Sequence, residues 1–277
     1  MRVLLINGPN LNLLGTREPE VYGSDTLADL ERKVVAWGAE EGVEVSTFQT
    51  NSEGEIIDRI QQFDGDGIII NPGALSHTSR AIPDAIRSIG VPAVEVHISN
   101  IRNREPWRAH STVSEACVRT IYGRGIGGYR HAIRHLVNRT AMPFHPIRYG
   151  PHHENIGDLR PGGGRIVVLV HGGLWRQEYE RDSMETLAVD LAKRGATTWN
   201  IEYRRLGIDG GWPGSAHDVL TALDFVPHLG IPVENVSVVS HSAGAYLAMW
   251  AAARSEVTVD LHVAMGPMLD IAATSDN

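Results

Sequence analysis

Along the first half of the chain, short blocks of consecutive apolar residues alternate with stretches in which apolar residues recur every three or four positions. Residues 3–6 form the first block. Leu27, Leu30, Val34 and Trp37 follow at helical spacing, with Ser24, Asp25 and Thr26 as candidate caps and Gly42 as a stop. Residues 43–48 alternate as a strand does. Ser52-Glu53-Gly54-Glu55 has the spacing of a capping box and opens a helix carrying Ile56, Ile57, Ile60 and Phe63. Residues 67–70 suit a parallel strand covered on both faces. A helix over 78–88 contains Pro83, which is comfortable only in a first turn, so this helix starts late or bends before Asp84. Residues 91–99 and 119–122 read as strands and 129–139 as a closing helix.

Five strands alternating with helices predict an α/β fold, a doubly wound parallel sheet of the flavodoxin-like kind. The texture then changes. Residues 140–163 hold four prolines, three histidines and the run Gly162-Gly163-Gly164, with no sustained periodicity, and read as a linker or an irregular start to a second domain. Beyond them, strands over 165–170, 197–201, 236–239 and 261–264 alternate with helical patterns around 187–192, 216–226 and up to Arg254. The expected division is a first domain over 1–141 and a second, incomplete one over 142–277.

Composition narrows the function classes. The net charge of −8 offers no nucleic-acid surface, and an anionic substrate would need local cations. The single cysteine, Cys117, excludes an intrachain disulfide framework. No apolar run approaches the roughly 18 residues of a membrane helix, and the N-terminal run stops at Asn7, too short for a secretion signal. A cytoplasmic protein without membrane or nucleic-acid partners is expected.

The candidate chemistry sits at strand ends, where open α/β sheets bind ligands. The long segment 7–23 after the first strand carries Asn10, Arg17 and Tyr22. The third strand ends in Asn71, Gly73 and His77. Glu95, His97 and Ser99 alternate along the fourth and so share a face, which lets Glu95 hold His97 as a general acid. A tyrosine is a poor base at neutral pH, but a nearby arginine favours its phenolate. A phenolate base opposed by an imidazole acid suits removal of a proton beside a carbonyl with loss of a hydroxyl. Arg104 and Arg108 would serve an oxygen-rich substrate.

The segments NGPNLNLLGTREPEVYG, INPGALSHTS, EVHISNIRNREPWRAHS and GRGIGGY, in that order over residues 1–139, closely resemble the type II 3-dehydroquinate dehydratases. The resemblance implies trans-dehydration of the small molecule 3-dehydroquinate to 3-dehydroshikimate through an enolate, with no cofactor and no metal. It casts Tyr22 as proton acceptor, His97 as proton donor and Arg17 as the lid residue that stabilises the tyrosinate. Asn10 would help hold the enolate oxygen. Asn71, Ser99 and the backbone at Ile98 would bind the carboxylate, and His77 and Arg108 the ring hydroxyls. Asp84 resembles a residue that reaches a neighbouring subunit's site, so a trimer-based homo-oligomer, a dodecamer, is implied. Whether the reaction serves aromatic synthesis or quinate breakdown stays open.

In the second half, a strand runs into Ser240-His241-Ser242-Ala243-Gly244 and then a helix, the form of a nucleophile elbow. Ser240 stands where that pattern has glycine. His171-Gly172-Gly173-Leu174-Trp175, roughly 70 residues upstream, lies where oxyanion donors belong, so Gly172, Gly173 and Ala243 are the candidate donors. LVHGGLW, NIEYRRLG and VVSHSAGAYLAMWAAAR resemble the first part of an α/β-hydrolase of the esterase and arylformamidase type, which implies ester or amide hydrolysis by Ser242. The acid and histidine of a triad belong after later strands, and 35 residues follow Ser242. Asp260 and Asp270 come too soon, and His262 reads as structural. The expectation is therefore a partial, poorly active hydrolase, either a piece of a longer fusion or one completed by another chain. Two alternatives to the dehydratase remain: a carboxylesterase or arylformamidase once the missing groups are supplied, and a non-catalytic oligomeric scaffold. The presence of Arg17, Tyr22 and His97 together speaks against the scaffold.

Overall fold

In the computed structural model, which describes residues 1–16, 23–207 and 209–268, the chain divides into two units, Met1–Val137 and Asn138–Asn277. The first is built on strands β1 (Arg2–Asn7), β2 (Glu44–Gln49), β3 (Gly67–Asn71), β4 (Ala93–His97) and β5 (Arg119–Tyr122). All neighbours pair in parallel, in the order β2-β1-β3-β4-β5. The order reverses between β1 and β3, which opens a crevice at their carboxyl ends.

The unbroken apolar blocks follow from a sheet covered on both faces. Val3 and Leu5 pack with Leu30 and Val34 of α1 (Leu27–Glu40) and with Ile133 and Leu136 of α4 (Gly127–Ala141). Leu4 and Ile6 turn the other way, onto Ile56 and Ile60 of α2 (Glu53–Gln61) and Ile82 and Ile86 of α3 (Ala81–Ile89). The proline conflict is resolved by a late start: Pro83 is the third residue of α3, and Ser79 Oγ accepts from the Ile82 N–H at 2.9 Å. The capping box expected at 52–55 is only half made. Ser52 accepts from the Glu55 N–H at 3.4 Å, while the Glu55 carboxylate takes the Thr50 hydroxyl instead. The reciprocal box forms at Thr26 and Asp29.

The second unit has a six-stranded sheet in the order β11-β10-β8-β9-β7-β6. Its strands are β6 (His145–Arg148), β7 (Ile156–Arg160), β8 (Arg165–Val170), β9 (Thr197–Ile201), β10 (Asn235–His241) and β11 (Leu261–Met265). Helices α5 (Glu185–Lys193), α6 (Gly214–Phe225) and α7 (Ala243–Ala252) accompany them. The expectation of an irregular 140–163 is corrected: β6 and β7 form an antiparallel pair there, and β7 continues antiparallel to β9. Buried charge hid the strand. Asp158 is held by Arg181 at 2.8 Å, and the fully buried Arg160 by Glu185. Among the described residues no helix is long and apolar enough to cross a membrane, and no group of three or more His, Cys, Asp or Glu side chains is placed to hold a metal ion.

Candidate active site

At the carboxyl edge of the first sheet, a cleft is lined by Asn10, Leu11 and Leu14 from the segment after β1, Asn71, Gly73 and His77 after β3, His97, Ile98 and Ser99 after β4, and Arg104 and Arg108 from the loop beyond. Two glycines allow its walls to meet. A Cβ on Gly8 would stand 2.6 Å from the Pro72 carbonyl oxygen, and one on Gly73, whose φ is +57°, 2.8 Å from that of Pro9. Asn10 itself is left-handed (φ 68°), with its N–H on Asn51 Oδ1 at 2.9 Å.

His97 and Glu95 are both buried, and His97 Nε2–H donates to Glu95 Oε1 at 2.9 Å. That bond leaves Nδ1 as the ring's other nitrogen. Glu95 receives two more donors: Ser111 Oγ on Oε1 at 2.6 Å and Thr120 Oγ1 on Oε2 at 3.3 Å. Thr120 reaches it because it lies opposite Glu95 in the β4–β5 register. All three of these partners donate to the carboxylate.

His77 stacks near His97, with ring centroids 6.5 Å apart, and donates Nδ1–H to the His110 carbonyl at 2.8 Å. Burial lowers its pKa, the His110 bond works the other way, and His97 and Arg108 add to the lowering. At neutral pH this ring is uncharged and its Nε2 is an acceptor. Arg108 donates Nε–H to Glu105 at 2.9 Å and lies over the Trp107 ring at 4.0 Å, and that ring meets His77 edge-on at 5.2 Å. The Asn71 amide donates to Tyr129 Oη at 2.8 Å, and that hydroxyl donates to Asn7 Oδ1 at 3.1 Å. Burial pushes the Tyr129 phenol well up, more than the Asn71 bond lowers it, so it stays a neutral link.

The cleft thus gathers Asn10, Asn71, Gly73, His77, His97, Ile98, Ser99 and Arg108, with Glu95 behind His97. Arg17 and Tyr22 lie outside the described residues. Asp84 is exposed in the first turn of α3 and does not line this cleft. The sequence reading missed Ser111, Thr120 and Tyr129. The EVHISNIRNREPWRAHS and GRGIGGY segments, which end in Ser111 and Tyr129, were a signal for two of them, but nothing in local spacing marked Thr120.

The second unit bears the elbow. Ser242 has φ 49° and ψ −122°, a strained conformation for a residue with a side chain. The His171-Gly172 backbone lies directly against the elbow. A Cβ on Gly172 would be 2.9 Å from Ser242 Cβ, and one on Gly244 2.1 Å from the His171 carbonyl oxygen. His171 is structural: buried, it meets Glu202 Oε1 through Nε2 at 2.7 Å and stacks on Tyr203 at 4.3 Å. Glu202 is also approached by Arg205 and Arg181. Burial disfavours its charge, but Arg205, His171 and Arg181 outweigh that and hold its carboxyl below the usual range. Asp260 is spent on the Val236 N–H at 2.8 Å, at the opposite end of β10 from Ser242. His262 Nε2 meets Ser240 Oγ at 2.7 Å. Asp270 lies outside the described residues, and among the described residues no histidine hydrogen-bonds Ser242.

A parallel sheet with its cleft at the strand reversal and an imidazole–carboxylate pair defines a small-molecule site equipped for acid–base chemistry in the first unit. Residues 1–137 match the family model described as Dehydroquinase class II, and residues 160–271 one described as BD-FAE. Over 136 residues the chain is 55% identical to "Catabolic 3-dehydroquinase 1" of Neosartorya fischeri, covering 48% of this chain and 91% of that one. It is 51% identical over 140 residues to "3-dehydroquinate dehydratase" of Alkalilimnicola ehrlichii, covering 50% and 92%. A solved type II dehydroquinase from Butyrivibrio crossotus is 45% identical, with a TM-score of 0.48, covering 49% of this chain and 97% of that one. Through its first half the chain belongs to the class II dehydroquinase family.

Proposed function

We propose that the first unit dehydrates 3-dehydroquinate to 3-dehydroshikimate, with Tyr22 as base and His97 as acid. The observation that carries this reading is the buried Glu95–His97 pair opening on a cleft with Asn71, His77, Ser99 and Arg108 around it. In the first step the Tyr22 phenolate, favoured by Arg17, takes a proton from the carbon beside the ketone, and the electron pair moves onto the oxygen as an enolate near Asn10. In the second the carbonyl re-forms, the hydroxyl leaves as water with the His97 proton, and a conjugated enone results. Tyr22 has then gained a proton and His97 lost one, and exchange with water restores both. The neutral His77 accepts a hydrogen bond from a ring hydroxyl, Arg108 supplies charge and donors, and Asn71, Ser99 and the Ile98 backbone hold the carboxylate. Adding 3-dehydroquinate to the protein should raise the enone absorbance, and Tyr22→Phe and His97→Ala should each abolish the rise with folding intact. Full turnover by Tyr22→Phe would refute the assignment of the base.

The strained Ser242 backbone, with Gly172 against it, supports a second reading, that the other unit has the nucleophile end of a serine hydrolase with Gly172, Gly173 and Ala243 as oxyanion donors. Labelling by a fluorophosphonate, lost in Ser242→Ala, tests it. Equal labelling of that variant would defeat it. The exposed Asp84 supports a trimer-based, dodecameric assembly in which it reaches a neighbouring copy's cleft. A single species with a monomer's sedimentation coefficient would exclude that. A cytoplasmic location, supported by the single unpaired cysteine, is tested by fractionation.

A further inference from the structure

Three consecutive residues at the end of the arginine-bearing loop reach three parts of the cleft. The His110 carbonyl accepts from His77 Nδ1 at 2.8 Å. Ser111 Oγ donates to Glu95 Oε1 at 2.6 Å. Thr112 closes the segment onto the turn before α3, its N–H on the Ser76 carbonyl at 2.8 Å and its hydroxyl shared between the Ser76 and Ser79 carbonyls. The middle residue is the informative one. The Ser111 hydrogen falls on the same carboxylate oxygen that receives His97 Nε2–H at 2.9 Å, whereas Thr120 uses the other oxygen at the longer distance of 3.3 Å. Ser111 is buried, and its own oxygen accepts from the Ser114 N–H at 3.3 Å, so its hydrogen has one destination.

We propose that Ser111 is a positioning residue that sets how strongly Glu95 stabilises the protonated His97 ring, and so how readily that ring gives up its other proton, on Nδ1. An oxygen that serves two donors offers less negative charge to each. A general acid must release its proton in the transition state, and an imidazolium facing an undivided carboxylate releases it less readily. By sharing Oε1, Ser111 keeps His97 oriented by the carboxylate without letting the pair become too basic to donate. The other groups that face this pair are His77 from the turn after β3, Arg104 and Arg108 from the cleft wall, Tyr122, which lies opposite His97 on β5, and the half-buried Cys117 thiol near Glu95. Replacing Ser111 changes the charge of none of them, so a shift in titration would report the lost hydrogen bond.

The test uses the full chain and Ser111→Ala. In the protein without substrate, NMR titration of the labelled His97 ring should show its midpoint raised by roughly half a pH unit, because the Ser111 bond to Glu95 is present in both protonation states of the ring and only its difference between them enters. The basic limb of the kcat profile should move upward with it. The plateau kcat should fall roughly twofold, as expected for a proton transfer about half advanced, with a smaller change in KM. Ser111→Cys keeps the shape with a weaker donor and should give an intermediate shift, which also serves if the alanine variant fails to fold. A midpoint unchanged or lowered in the variant that folds would overturn the proposal, as would a uniform loss of activity with the limb in place. The kinetic part rests on the dehydratase reading, but the ring titration does not. A raised midpoint in a protein that never makes the enone would sink that reading and leave the role of Ser111 standing.

Discussion

Replacing Glu95 by glutamine removes one charge while keeping the shape of a fully buried side chain. The amide can still face its neighbours, because its oxygen can take the place of Oε1 and accept from His97 and Ser111, while the Thr120 hydroxyl can turn to accept from its nitrogen. What disappears is the attraction between the carboxylate and the protonated His97 ring, whose Nε2 lies 2.9 Å from Oε1. With charge centres about 4 Å apart and an effective dielectric constant of about 20, that attraction is worth about 4 kcal/mol. A neutral hydrogen bond of about 1 kcal/mol survives. The difference, about 3 kcal/mol, corresponds to about two pH units. The basic limb of the kcat profile, read from enone absorbance, should therefore move about two units toward acid, and turnover at pH 7 should fall by up to about 100-fold and recover in part as the pH is lowered. The shift is opposite in sign to that expected of Ser111→Ala, which is a stringent pairing. A folded Glu95→Gln protein with its limb unmoved would refute the role given to the carboxylate.

The second unit allows two further expectations. Gly244→Ala would place a Cβ 2.1 Å from the His171 carbonyl oxygen, a backbone atom that cannot turn aside, so the elbow must open. A loss of about 3 kcal/mol in urea unfolding of that unit is expected, and an unchanged midpoint would contradict the close approach. Glu202 has a folded-state pKa depressed by Arg205, His171 and Arg181 against the effect of burial. The unfolded chain therefore binds this proton first, near pH 4.3, so the contribution is present above that pH and is lost as the pH falls toward the folded value. The urea midpoint of the second unit should drop below about pH 5 less steeply in Glu202→Gln than in the parent protein, and equal slopes would remove Glu202 from the account.

Local pattern alone determined much of this protein. Unbroken apolar blocks such as 67–70 required strands covered on both faces, and they are. The period of two along β4 put Glu95 and His97 on one face, and the strand–SHSAG–helix run forced Ser242 to positive φ. These features depend on neighbours a few residues apart, and a sequence displays them directly. Tertiary structure decided what depends on distant partners. β7 lay in a stretch without periodicity that reads as a linker, and it is a buried strand because Arg181 and Glu185 are brought to Asp158 and Arg160. Asp260 stood too soon after Ser242 in the sequence, and the sheet shows where it goes instead, onto the Val236 N–H at the far end of β10. Asn71 is held through Tyr129, 58 residues away, and the oxygen of Glu95 that orients His97 is shared with Ser111. A buried charge or amide is stable only with partners, and only the folded chain names them, because desolvation and hydrogen bonding act through space while periodicity acts along the chain.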